Sequence, residues 1–289
     1  MSARTSTWLL LCALFGVAVS LGAGHVAARL AFASGVNVIT AATVRSVCAG
    51  LLVLALLWLR REAVLPLPRA FRSTIVLGVL IAAQTVCIQV AVALMPVTLA
   101  LLVFYTYPFL TGVAASLLGD ERFTPRLAVA LLAAFAGLAL VLGVEPQPVS
   151  VWGFLAALGA AVTFSAAMVL TPHLAPGLST PLRTFFMLAT TAAIFVAASV
   201  AMQSFRLPAS DAAWTGLAGL TLGYALGITG LFLLLPRLGA VQTSIVLNLE
   251  PVAVAAIAWA ALGEALTPLQ IVGAVVVVAT VILFKATAR

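Results

Sequence analysis

Three ionisable side chains interrupt otherwise apolar runs: His25, Arg45 and Glu250. In hydrocarbon such a group costs roughly 3 kcal/mol on insertion scales, so each must face protein or water and have a partner. Arg45 and Glu250 form one candidate pair, although an arginine at that depth is also long enough to snorkel outward. His25 suits a proton or substrate group as well as a satisfied structural histidine. Glu250 stands directly before Pro251, where it fits a structural or gating role or contact with a solute. A second set is uncharged: Gln84, Gln89, Tyr105, Tyr107, Thr163, Ser165, Tyr224, Asn248 and Trp259. The aromatic members offer apolar faces, and the amides and hydroxyls offer hydrogen bonds to an amino or carboxylate group. No GxSxG, HExxH or phosphate-binding glycine loop occurs, and with two histidines and one clearly buried acid a metal site lacks ligands. An enzyme, a cofactor and a metal are therefore not expected.

What must position these residues follows from composition. Hydrophobic residues make up 64% of the 289 and charged residues only 7%, and mean hydropathy is +1.27. A soluble domain carries roughly 25% charged residues, so lipid is this chain's main solvent. Ten apolar stretches are near the ~20 residues that cross a bilayer: 7–30, 38–59, 73–93, 97–118, 126–143, 150–170, 182–203, 212–235, 239–262 and 268–285. Pro66, Pro68, Pro96, Pro125, Pro146, Pro148, Pro172, Pro176, Pro208 and Pro268 mark the breaks. Backbone groups in lipid must pair within their own segment, so the spans are helices. Alternating them across the membrane puts Arg4, Arg60, Arg61, Arg69, Arg72, Arg122, Arg126, Arg183, Arg237, Lys285 and Arg289 on one side and Arg206 alone on the other, with Arg29 and Arg45 left near or within spans. This bias predicts that both termini are cytoplasmic and accounts for the net charge of +7. The cations are strung singly, without the stripe a nucleic-acid surface needs. Cys12, Cys48 and Cys87 stand alone in apolar runs and read as packing residues.

Pro108, Glu121, Thr124 and Pro125 recur as Pro251, Glu264, Thr267 and Pro268 at a constant offset of 143 residues. The chain thus reads as two copies of one unit, 1–145 and 146–289. Five spans per copy is odd, so the second copy enters the membrane inverted, an arrangement that places solute sites mid-membrane between repeats. The offset aligns Tyr105 with Asn248 and Tyr107 with Glu250, which sets polar groups within a turn of each proline. Spans 5 and 10 are nearly devoid of polar side chains and read as scaffold. Gly16, Ser20, Gly24 and Ala28 in span 1, and Gly219, Gly223 and Gly227 in span 8, form small-residue ridges suited to tight packing or to a sliding interface.

The segment LLPRLGAVQTSIVLNLEPVAVAAIAWAALGEALTPLQIVGAVVVVATVIL resembles the C-terminal half of an EamA repeat of the drug/metabolite transporter superfamily. FYTYPFLTGVAASLLGDERFTP resembles it more loosely, with Tyr107 in place of the acid before proline. Within that superfamily the chain is most similar to exporters of aromatic amino acids. The resemblance implies a ten-helix basket with cytoplasmic termini and a cavity lined by spans 1, 3, 4, 6, 8 and 9. It also implies export of aromatic amino acids and related metabolites across a bacterial inner membrane by alternating access. Small-drug, sugar-phosphate or nucleotide-sugar exchange, or a non-transporting membrane protein, are the alternatives. A monomer is expected, with a homodimer left open. Arg45, Pro108, Glu250 and Pro251 are the structural or gating candidates; the remaining residues named above, Gln89 apart, are the cavity candidates.

Overall fold

The computed structural model describes residues 3–64, 70–144 and 149–286, with side chains described between residues 9 and 284. Pro66, Pro68, Arg69, Pro146, Pro148 and Arg289 lie outside the described residues, as do the side chains of Arg4 and Lys285. All the regular structure described is helical: α1 (Ala3–Ala33), α2 (Val38–Leu59), α3 (Phe71–Leu94), α4 (Val97–Phe104), α5 (Tyr107–Leu117), α6 (Pro125–Leu142), α7 (Val151–Leu170), α8 (Thr180–Ala201), α9 (Asp211–Leu238), α10 (Ala240–Leu247), α11 (Leu249–Leu262) and α12 (Pro268–Ala286). Counting α4 with α5 and α10 with α11 as single spans, nine described stretches are long and apolar enough to cross a bilayer, and α12 is a shorter tenth.

The expected spans 4 and 9 are each broken in two, at equivalent places. α4 and α10 are both eight residues long and are separated by the 143-residue offset at either end. The cause is the proline four residues beyond each first half. Pro108 and Pro251 offer no N–H to the carbonyls of Phe104 and Leu247, and a proline ring clashes with the carbonyl one turn back. The repeated Thr-Pro pair has a different task, starting the last span of each copy. Thr124 accepts from Leu127 N at 3.2 Å and Pro125 opens α6. Thr267 accepts from Gln270 N at 3.2 Å while Gln270 Oε1 accepts from Thr267 N at 2.9 Å, a reciprocal capping box that starts α12.

The chain forms two compact units, each drawn from both halves of the sequence: Met1–Ala82 with Leu170–Arg237, and Ala83–Val169 with Leu238–Arg289. In the first, α2 lies antiparallel to its repeat equivalent α8. Asn37 Nδ2 donates to Ser204 O at 2.7 Å, and Thr43 Oγ1 to Phe195 O at 3.2 Å. In the second, α6 lies antiparallel to its equivalent α12. Gln270 Nε2 donates to Val141 O at 3.3 Å, and a Cβ placed on Gly137 would stand 2.9 Å from Gly273 O. Equivalent helices that run in opposite directions are the signature of an inverted repeat.

The small-residue ridges of α1 and α9 meet each other. A Cβ at Gly223 would lie 2.6 Å from Gly24 Cα, and one at Gly216 would lie 2.4 Å from Ala31 N. Ser20 Oγ donates across the seam to Gly223 O at 3.3 Å. Gly16 has nothing within 4 Å of its Cβ position and so takes no part. With lipid on the outside and no hydrophobic drive between helices, such backbone approach supplies the attraction.

In the second unit Glu121, between α5 and α6, brings Oε1 within 3.3 Å of the Cβ position of Gly239, which opens α10 with a φ of +82°. Partial burial, and then the neighbouring Asp120, hold the Glu121 carboxyl above the usual range. The folded state therefore keeps its proton to higher pH than the unfolded chain, and stability falls as pH rises through that interval.

Gly223→Ala is expected to destabilise the protein by about 1–3 kcal/mol through overpacking, whereas Gly16→Ala leaves it unchanged or gains up to ~1 kcal/mol of helix propensity. Thermal unfolding of both variants in detergent checks this. Glu121→Gln is expected to raise Tm slightly at neutral pH, and the difference from wild type should vanish on acidification.

Candidate functional site

The paired breaks concentrate polar chemistry in the second unit. Loss of the helical ladder at α4–α5 puts Tyr105 at the C-cap of one half-helix and Tyr107 at the first position of the next. The equivalent break puts Asn248 between α10 and α11 and Glu250 in the first turn of α11, where the helix dipole favours a carboxylate. Tyr105 hydrogen-bonds Glu250 through their side chains, and Tyr107 lies within range of the same charge. The Tyr107 hydroxyl approaches Ser244 O at 3.5 Å. Because Tyr105 meets Glu250 while Tyr107 meets Ser244, the two broken spans cross antiparallel.

Around the first break four rings pack together. Tyr107 and Phe164 meet edge-on at 4.9 Å, Phe104 lies 5.2 Å from Tyr107 and 5.7 Å from Phe164, and Tyr105 lies 6.0 Å from Tyr107. Tyr107 is 1% exposed and Tyr105 5%, so the rings form a wall with Tyr105 at its edge. Beneath them Thr111 donates to Tyr107 O at 2.8 Å and lies 3.2 Å from Ser165 Oγ, which fixes the first turn of α5 against α7.

Asn248 is 3% exposed, and its Oδ1 is buried with no hydrogen-bond partner among the described residues. It does not cap α11, because its backbone is already helical (φ −61°, ψ −13°) and its side chain makes no cap bond. A buried acceptor left unmade costs roughly 1–3 kcal/mol. Glu250, in contrast, is half-buried.

The other sequence candidates have local contacts of their own. Thr163 Oγ1 donates to its own helix, to Gly159 O at 2.8 Å, and Gln84 accepts from Thr85 Oγ1 at 3.4 Å. Trp259 is 59% exposed on α11 and stands apart from the ring cluster. In the first unit His25 is exposed, while its neighbour Gly24 makes the helix seam. Arg45 places its guanidinium carbon 4.3 Å over the Tyr224 ring, a cation–π contact. Within the first unit Arg45 therefore contacts Tyr224, and within the second Glu250 acts on Tyr105 and Tyr107. Phe104, Phe164, Thr111 and Ser244 were absent from the sequence candidates. The available signal was adjacency: Phe104 abuts Tyr105, and Phe164 sits between Thr163 and Ser165.

The model of the EamA-like transporter family matches the chain twice, over residues 8–143 and 151–285. No curated protein matches at a significant level. A solved crystal structure is similar with a TM-score of 0.82, covering 97% of each chain at 20% identity, a likeness of fold. The two family matches are tandem, leave only a short joint between them, and coincide with the copies that the antiparallel helix pairs relate. The chain belongs to the EamA-like transporter family of the drug/metabolite transporter superfamily.

Proposed function

We propose that the protein is a secondary transporter that exports aromatic or hydrophobic amino acids and related metabolites across a bacterial inner membrane by alternating access. Both termini are cytoplasmic in this reading, which the one-sided distribution of arginines supports. The observation that carries the substrate assignment is the unsatisfied Asn248 Oδ1, two residues before Glu250, whose charge acts on Tyr105 and Tyr107 of the ring cluster. An ammonium group supplies the donor that Asn248 lacks and the charge that Glu250 favours. The ring edge at Tyr105 suits an aromatic or apolar side chain. Exchange of the Tyr105–Glu250 hydrogen bond for a solute bond gives the site a way to sense occupancy. A sugar-phosphate or nucleotide-sugar specificity is disfavoured here, because a dianion wants paired cations and the acid of this cluster repels it.

Reconstituted in liposomes, the wild type is expected to move labelled phenylalanine. Asn248→Leu should lower the flux about ten- to a hundredfold, the range set by a ~1.5–3 kcal/mol bond to a charged group. Tyr105→Phe keeps the ring and loses the Glu250 bond, and a smaller loss is expected. Trp259→Ala should leave flux unchanged. Wild-type flux in both Asn248→Leu and Tyr105→Phe would remove these residues from the transport site. A flux insensitive to an imposed pH gradient would exclude Glu250 and His25 as proton carriers.

A further inference from the structure

Arg183, which by sequence is one of the loop-side cations that set topology, is 5% exposed in the first turn of α8. Its Nε is buried without a hydrogen-bond partner, and no described carboxylate pairs with it. With Nε buried and unbonded and no described counter-charge beside it, this side chain is costly for the fold to keep. The nearby acid is already engaged: Glu62, just past α2, accepts from the Ser179 hydroxyl that caps α8. That contact also draws exposed Arg60 and Arg61 to the start of α8. From α3, Phe71 packs edge-on against Phe186 at 5.1 Å, bringing the neighbouring exposed Arg72 to the same end. Four arginines and one occupied acid therefore gather at one end of the first unit, with the buried one about 6 Å, or one turn, inside the helix start.

We propose that this end of the first unit is a phosphate-binding site, anchored by Arg183 and completed by Arg60, Arg61 and Arg72. The guanidinium fork matches a phosphate's oxygens. The depth, one turn inside a membrane span on the face assigned to the cytoplasm, is that of an anionic lipid headgroup. A soluble phosphate has the same chemistry, and the two sources are separable.

The test is thermal unfolding of the full chain in neutral detergent, titrated with short-chain phosphatidylglycerol, with phosphatidylcholine, and with sodium phosphate against sodium chloride at matched ionic strength. A saturable rise in Tm with phosphatidylglycerol that phosphatidylcholine does not reproduce is expected. A rise with inorganic phosphate as well identifies a soluble anion as an occupant, and a rise with the lipid alone identifies the headgroup. Arg183→Met should abolish the response and raise Tm in lipid-free detergent, since it removes an uncompensated charge; a purely structural arginine would lower it. Arg183→Lys should bind about tenfold more weakly, and Arg237→Gln, on the same face, should respond like wild type. If Arg183→Met does not fold, the combined Arg60→Gln, Arg61→Gln and Arg72→Gln variant, all at exposed positions, should weaken the response at least tenfold. Equal Tm shifts from both lipids with none from phosphate, or an Arg183→Met protein that keeps the full response, would overturn the proposal.

Discussion

A peptide N–H that proline lacks costs little in water and much in hydrocarbon. Lipid offers no substitute donor, so a carbonyl denied its partner one turn later must be accommodated by the protein itself. Pro108 and Pro251 impose that condition twice, and the chain meets it by ending one half-helix and starting another. The fresh helix start favours the carboxylate of Glu250, and the interrupted turns leave Tyr105 and Asn248 as the caps that close the two first half-helices. The aromatic wall, the Tyr105–Glu250 bond and the unsatisfied amide all follow from those two missing donors.

Close backbone approach also holds each unit together internally. The α6–α12 seam, with Gly137 against Gly273, locks equivalent helices of the second unit together. In the first unit the seam between α1 and α9 does the same with backbone against backbone, while Thr191 reaches across to Gly78 O at 3.0 Å and ties α8 to α3. Small residues and hydroxyls bonded to carbonyls replace the hydrophobic drive that lipid removes.

Much of this is legible in the amino-acid order. Apolar length alone marks the spans, and the 143-residue offset predicts that whatever Pro108 does, Pro251 does too. The breaks themselves escape a reading by hydropathy, because the polar residues at each are too few to interrupt an apolar run. Side-chain direction is the other loss. Arg183 has the type and position of a loop residue, yet the helix turn buries it, and the exposure of His25 and Trp259 is equally invisible in the order of residues. In a soluble helix the polar face would have revealed the rotation. Here nearly every position is apolar and periodicity carries little information. For the same reason Phe164 could not be told from its lipid-facing neighbours, and Tyr224 as the cover for Arg45 depends on a pairing of α2 with α9 that no spacing encodes.

The crossing of the two broken spans has a near-twofold backbone and unlike side chains. Tyr105 stands where its counterpart is Asn248, and Tyr107 where its counterpart is Glu250. One strand of the crossing is phenolic and weakly acidic; the other is an amide acceptor beside a carboxylate. The crossing therefore has two chemically unlike sides, as a key has two distinct ends. Duplication supplied the symmetry of the frame, and divergence at two positions turned it into a polarity.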